Sequence, residues 1–155
     1  MAFMTEARDD YKLELAAEML RAGGGVRLRA LGNSMLPSIW PGDVLCIERK
    51  AGEEMVAGDI VLVARGGRFF IHRLIEKRDL GWITRGDALP QNDEAVAEAS
   101  VLGKVALVQR KGGVLVPGSR ISWGNRALAW MLCHWDLFRN IALRMHLLYG
   151  RQLCQ

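Results

Sequence analysis

Ser34 stands in "GNSMLPSIWPGD", residues 32–43, behind Gly32 and Asn33 and ahead of Met35, two prolines and a Gly-Asp pair. A serine hydroxyl becomes a nucleophile only with a base in hydrogen-bond reach and N–H donors aimed at the developing oxyanion. Gly32 suits such a place, because a residue without Cβ admits a substrate backbone and lets the chain turn sharply. Pro37 and Pro41 stiffen the segment beyond Ser34 by fixing φ. A lone serine in a turn is more often a cap or a solvated hydroxyl, so the rest of the chain must supply what activates it.

The base must be histidine or lysine. His134 and His146 lie among Trp and Leu late in the chain, whereas His72 lies within "FFIHRLIE" (69–76), on the strand face shared with Phe70 and Leu74. Free imidazole titrates near pH ~6.5, while a lysine has to be desolvated before it loses its proton. Lys50 and Lys77 neighbour charges in turn-like segments and Lys104 follows Gly103 at a strand start, so none rivals His72. An acid that orients the imidazole is offered by "RGDALPQNDE" (85–94), where Asp87 and Asp93 are both candidates. Asp87 has the plainer alternative of closing a Gly-Asp turn. His134 and His146 lack ligand spacing, and Cys46, Cys133 and Cys154 form no CxxC pair. No metal and no other cofactor is expected.

Short strands must carry these residues. "VRLRAL" (26–31), "DVLCIER" (43–49), "DIVLVAR" (59–65), "FFIHRLIE", "GWITRGD", "VLGKVALVQR" and "VLVP" are strand-like runs separated by glycine-rich punctuation. Residues 5–22 read as an amphipathic helix, with Thr5 as N-cap and Leu13, Ala16, Ala17 and Leu20 on one face. The glycines at 23–25 end it. The expected fold is mainly β (α+β), with a domain over 1–118 and a basic, aromatic-rich helical tail over 119–155.

Charge divides the chain the same way. Residues 1–109 hold 14 basic and 16 acidic side chains, while residues 110–155 hold seven basic and one acidic. Acids at Glu6, Asp9 and Asp10 exclude a secretory leader, and no apolar window is long enough to span a membrane. Together with the unpaired cysteine pattern these place the chain in the cytoplasm. Residues 123–151 alternate Trp and Leu with arginines. They either lie on a membrane surface or pack on the body or on another copy as a homo-oligomer contact, and the packed alternative fits so apolar a segment better. Neither a helix-turn-helix nor a stacking platform is visible, so no nucleic acid is expected.

The ordered strings "GNSMLPSIWPGDVL", "GDIVLV", "FFIHRLI", "ITRGDALPQND" and "LGKV" resemble the signal peptidase I and LexA-like superfamily of serine peptidases, over Val26 to Val108. The resemblance implies coiled antiparallel β-sheets, Ser34 as nucleophile and, where most bacterial members have lysine, His72 as base. That substitution resembles the Ser-His branch found in archaea, the endoplasmic reticulum and spore-forming bacteria. There the assisting acid falls on Asp93. Gly32 stands where signal peptidases have a hydroxyl residue, as in LexA-like members, so the oxyanion and substrate-binding site of Gly32, Asn33 and Met35 rests on backbone N–H groups. The membrane anchor of signal peptidases is not seen.

The reading is therefore a Ser-His(-Asp) endopeptidase that cleaves a peptide or protein substrate after a small residue, clipping a leader or precursor. A LexA-like self-cleaving regulator, cut at Ala22–Gly23, is one alternative, although a helix C-cap is the better reading of those glycines, with Ala22 only 12 residues before Ser34. A peptide-binding or membrane-associated protein that kept the fold without turnover is the other.

Overall fold

The computed structural model describes residues 14–118. Thr5, Leu13 and everything expected of the tail, including residues 123–151, lie outside them. Residues 14–21 are helical (α1), with Ala17 and Leu20 buried and Ala16 half-buried, as the apolar stripe requires. Gly23 ends the helix in the left-handed region at φ 85°, its N–H donating to Leu20 O while Gly24 N–H donates to Met19 O. That paired 5→2 and 6→1 bonding satisfies carbonyls the helix leaves open. The Ala22–Gly23 bond is thus part of a helix C-cap.

Seven strands complete the domain: β1 (Gly25–Arg29), β2 (Val44–Glu48), β3 (Ile60–Arg65), β4 (Arg68–Arg78), β5 (Gly81–Arg85), β6 (Val101–Arg110) and β7 (Gly113–Leu115). All pairings are antiparallel, in the order β1-β2-β6-β3-β4-β5, with β7 on β6. The mainly β expectation holds, and the run ending at Pro117 does form a strand. Register shifts bend the sheet between Cys46 and Ile47, between Leu62 and Val63, and between Leu74 and Glu76.

β3 explains why a coiled sheet needs no second layer of strands. Its apolar run "IVLV" is buried on both faces. Ile60 and Leu62 join a core with Ala17, Leu20, Met35, Ile39, Leu45, Ile47, Leu102, Val105 and Val108. Val61 and Val63 join another with Met55, Leu74, Trp82, Val96 and Val101. Alternation at period two gives one strand to two cores.

Three Gly-Asp pairs do more than punctuate. Asp43, Asp59 and Asp87 each turn a carboxylate inward against a cation from another strand: Arg110 at 2.7 Å, Lys104 at 2.8 Å and Arg73 at 2.8 Å. Asp43 and Asp59 also accept backbone N–H groups three residues upstream, from Trp40 and Val56, which closes each turn. Among the described residues every buried side-chain nitrogen or oxygen has a partner.

Candidate active site

Ser34 leads the turn that leaves β1. Leu36 N–H bonds Asn33 O and Ile39 N–H bonds Met35 O, while Met35, Leu36 and Ile39 are buried. The turn is held at its far end by Arg110, which donates to Ser38 O and to the Asp43 carboxylate. It is held at its near end by the loop after β5, where Ala88 N–H donates to Ser34 O at 2.8 Å. Gly86 permits that contact, since a Cβ there would come within 2.6 Å of Ser34 O.

β4 delivers His72, 6% exposed, from a position paired with Val61 of β3. Ser34 Oγ lies 3.2 Å from His72 Nε2, and His72 Nδ1 lies 2.6 Å from Asp93 Oδ2. With its proton on Nδ1 the imidazole donates to Asp93 and accepts from the Ser34 hydroxyl. Asp93 is itself fixed: its N–H donates to Thr84 O, and Thr84 Oγ1 donates to the same carboxylate oxygen at 2.6 Å. Sequence reasoning misses Thr84. Its place two residues before the Gly86-Asp87 pair is the only signal it gives.

Asp87, the alternative acid, does not face the imidazole. The Arg73 guanidinium grips it through Nε to Oδ1 and Nη2 to Oδ2, both at 2.8 Å, and Ser38 Oγ–H donates to Oδ2. Arg73 Nη1 also donates to Gly58 O at 2.6 Å and to Gly118 O at 3.1 Å. Asp87 therefore ties the Gly-Asp turn to the serine turn. It is buried rather than solvated, because His72 and Arg73, adjacent on one strand, point to opposite faces and each takes the acid on its own side.

The lysines are engaged elsewhere. Lys50 pairs with Glu54, and Lys104, within β6 rather than at its start, pairs with Asp59. Lys77 is likewise inside β4, donating to Gly52 O with its ammonium 4.8 Å from the Trp82 ring centre. Gly32 also corrects an expectation. Its φ is not positive and a Cβ there would meet nothing within 4 Å, so the turn does not require glycine and only the approach of a substrate remains as a use for it.

A groove of about 620 Å³ opens beside Ser34 and His72, running between residues 28–35 and 68–72 over a floor of Met35, Ile39, Leu45 and Leu62. Both walls are sheet edges. β1 pairs only with β2 among the described residues, and β5 reaches back along β4 only to Arg73. An extended chain laid there meets unpaired backbone groups on both sides and the serine at one end. Ser34 and Met35 N–H groups have no hydrogen-bond partner among the described residues. No group of three or more His, Cys, Asp or Glu side chains among those residues could hold a metal, and no helix among them is long and apolar enough to cross a membrane.

Comparison with known proteins adds one match. The family described as Peptidase S24-like matches residues 2–106. No curated protein matches the chain.

Proposed function

The chain belongs to the Peptidase S24-like family, and from that premise we propose that it is a serine endopeptidase working through Ser34, His72 and Asp93. The observation that carries the reading is the unbroken line from Ser34 Oγ through both ring nitrogens of His72 to Asp93 Oδ2. Ser34 Oγ attacks the peptide carbonyl while its proton passes to His72 Nε2. The oxyanion is met by backbone N–H groups of the 32–35 turn. His72 then gives the proton to the departing amine, the C–N bond breaks, and an ester joins the acyl fragment to Ser34. Water, losing a proton to His72, bonds to the acyl carbon. The ester C–O bond breaks, His72 returns the proton to Ser34 Oγ, and the fragment leaves as a carboxylic acid. Asp93 keeps the Nδ1–H tautomer and balances the imidazolium, with Thr84 fixing the carboxylate.

The substrate enters as an extra strand in the groove beside Ser34, and its residue before the cleaved bond is small, as the superfamily resemblance implies. Clipping a leader or precursor peptide fits such a site. Self-cleavage at Ala22–Gly23 fits less well, because those backbone groups are used in the cap of α1.

A fluorophosphonate probe with mass-spectrometric mapping tests the assignment, together with intact mass and turnover of a peptide pool. Labelling at Ser34, lost in both Ser34→Ala and His72→Ala, is expected. Labelling that persists in His72→Ala removes His72 from its role. A chain that binds peptides equally with and without the Ser34 hydroxyl and never cleaves them is a binding protein instead.

A further inference from the structure

The groove beside Ser34 has a rim of one sign. Its lining residues include two arginines, Arg29 and Arg68, and no Asp or Glu. Both arginines are exposed, and among the described residues neither has an ion-pair or hydrogen-bond partner. Arg73 and Arg110 hold buried aspartates, the Arg65 guanidinium sits 5.2 Å from the Phe70 ring centre, and Arg27, two residues before Arg29, is outside the groove lining. Nor does a general cationic surplus explain the rim, because residues 1–109 carry more acids than bases.

Position gives the charges a register. Arg68, Phe70 and His72 alternate along β4 and so share one face. Arg68 lies four residues from His72, about 13 Å at ~3.3 Å per residue. Arg29 lies five residues before Ser34 on the opposite wall. Both strands run toward the site, with Arg29 five residues upstream of Ser34 and Arg68 four residues upstream of His72. A strand inserted between the walls advances at the same rise per residue.

We propose that the groove selects acidic peptides: extended segments with apolar side chains toward the floor and a Glu or Asp three to five residues from the cleaved bond, met by Arg29 and Arg68. This rests on the groove being the substrate site of the peptidase reading. Exposed charge contacts of this kind act on selectivity and encounter and weaken with salt.

The test uses the full chain and acetylated dodecapeptides with Ala before the bond, carrying Glu, Gln or Lys at each position three to five residues from it. Expected is about a three- to ten-fold higher kcat/KM for the best Glu peptide over its Gln counterpart at low salt, shrinking toward one as salt is raised. That ratio falls to about one in Arg29→Gln/Arg68→Gln and turns in favour of Lys in Arg29→Glu/Arg68→Glu, with circular dichroism checking the fold of each. Cleavage without preference for Glu, or a preference that survives both double variants, overturns the inference and leaves the peptidase reading standing. If no peptide is cut, the peptidase reading falls. Fluorescence anisotropy of the same peptides on Ser34→Ala protein then decides alone: tighter Glu binding that depends on the two arginines upholds the acidic selectivity, and equal binding of Glu and Gln peptides ends it.

Discussion

Removing Asp87 should unfold more than it inactivates. Its side chain is 2% exposed and that of Arg73 is 7%, so Asp87→Leu leaves a buried guanidinium facing only Ser38 Oγ and the carbonyls of Gly58 and Gly118. Two routes give the size of the effect. Orphaning one member of a buried ion pair costs about 3–5 kcal/mol. Counting the two charge-assisted N–H···O bonds lost, at about 1.5–3 kcal/mol each, gives about 3–6 kcal/mol. Against a total stability of about 5–15 kcal/mol that is a large share, a fall of roughly 10–20 °C in Tm. Arg73→Met, which strands the Asp87 carboxylate, should cost a similar amount. The double variant removes both charges and leaves the Ser38 hydroxyl and two carbonyls without their protein partners. Ser38 and Gly58 are half-buried and Gly118 exposed, so water can serve them and the total stays at about 1–3 kcal/mol. Urea unfolding of the four proteins at neutral pH completes the cycle. Asp87→Leu within about 1 kcal/mol of wild type, or a double variant as costly as the two singles added, would show that this pair does not clamp the two turns.

Asp93→Asn should do the reverse, lowering kcat/KM by about 10⁴ by favouring the wrong imidazole tautomer while shifting stability by about 1 kcal/mol or less; steady-state kinetics and a melt on one preparation separate the two acids. Gly86→Ala drives a Cβ to within 2.6 Å of Ser34 O and should cost about 1–3 kcal/mol. It should also displace the serine, read as slower fluorophosphonate labelling at matched folded fraction. Lys104→Met leaves Asp59 without its lysine and should lower stability by about 1–3 kcal/mol. It should nevertheless label at Ser34 like wild type, whereas loss of labelling in the folded variant would reinstate lysine as the base.

What can be read from residues alone is local. "DIVLVAR" and "VRLRAL" announce strands and three glycines a helix stop, because apolar runs and backbone freedom act over a few residues. Burial of β3 on both faces and the edge position of β1 appear only in the fold. Ser34 and His72 can be named since one odd turn and one imidazole in the β body leave few choices. The two acids cannot be separated by residue type. What separates them is the side of β4 each loop residue reaches, and the carboxylate contacts that settle it, Arg73 with Asp87 and His72 with Asp93, span 14 and 21 positions. The same distance in sequence hides Arg110 from Asp43, 67 positions apart, and hides Thr84, whose role exists only once β5 lies beside the Asp93 loop. Gly32 misleads for a converse reason: a glycine in a turn invites a conformational account, and here the backbone has no need of one.

Sheet order sets a clock on this molecule. β2 and β3 are neighbours in sequence, yet β6 lies between them, so the walls carrying Ser34 and His72 belong to halves that nothing local can join. As the chain leaves the ribosome, the β1–β2 and β3–β4 hairpins can form early, but the seam waits for residues 101–110 to thread into the gap. Ser34 and His72 meet only when nearly the whole domain has been made. A nascent chain therefore carries Ser34 apart from His72, and the hydrogen-bonded line from Ser34 to Asp93 cannot exist until the last long strand arrives.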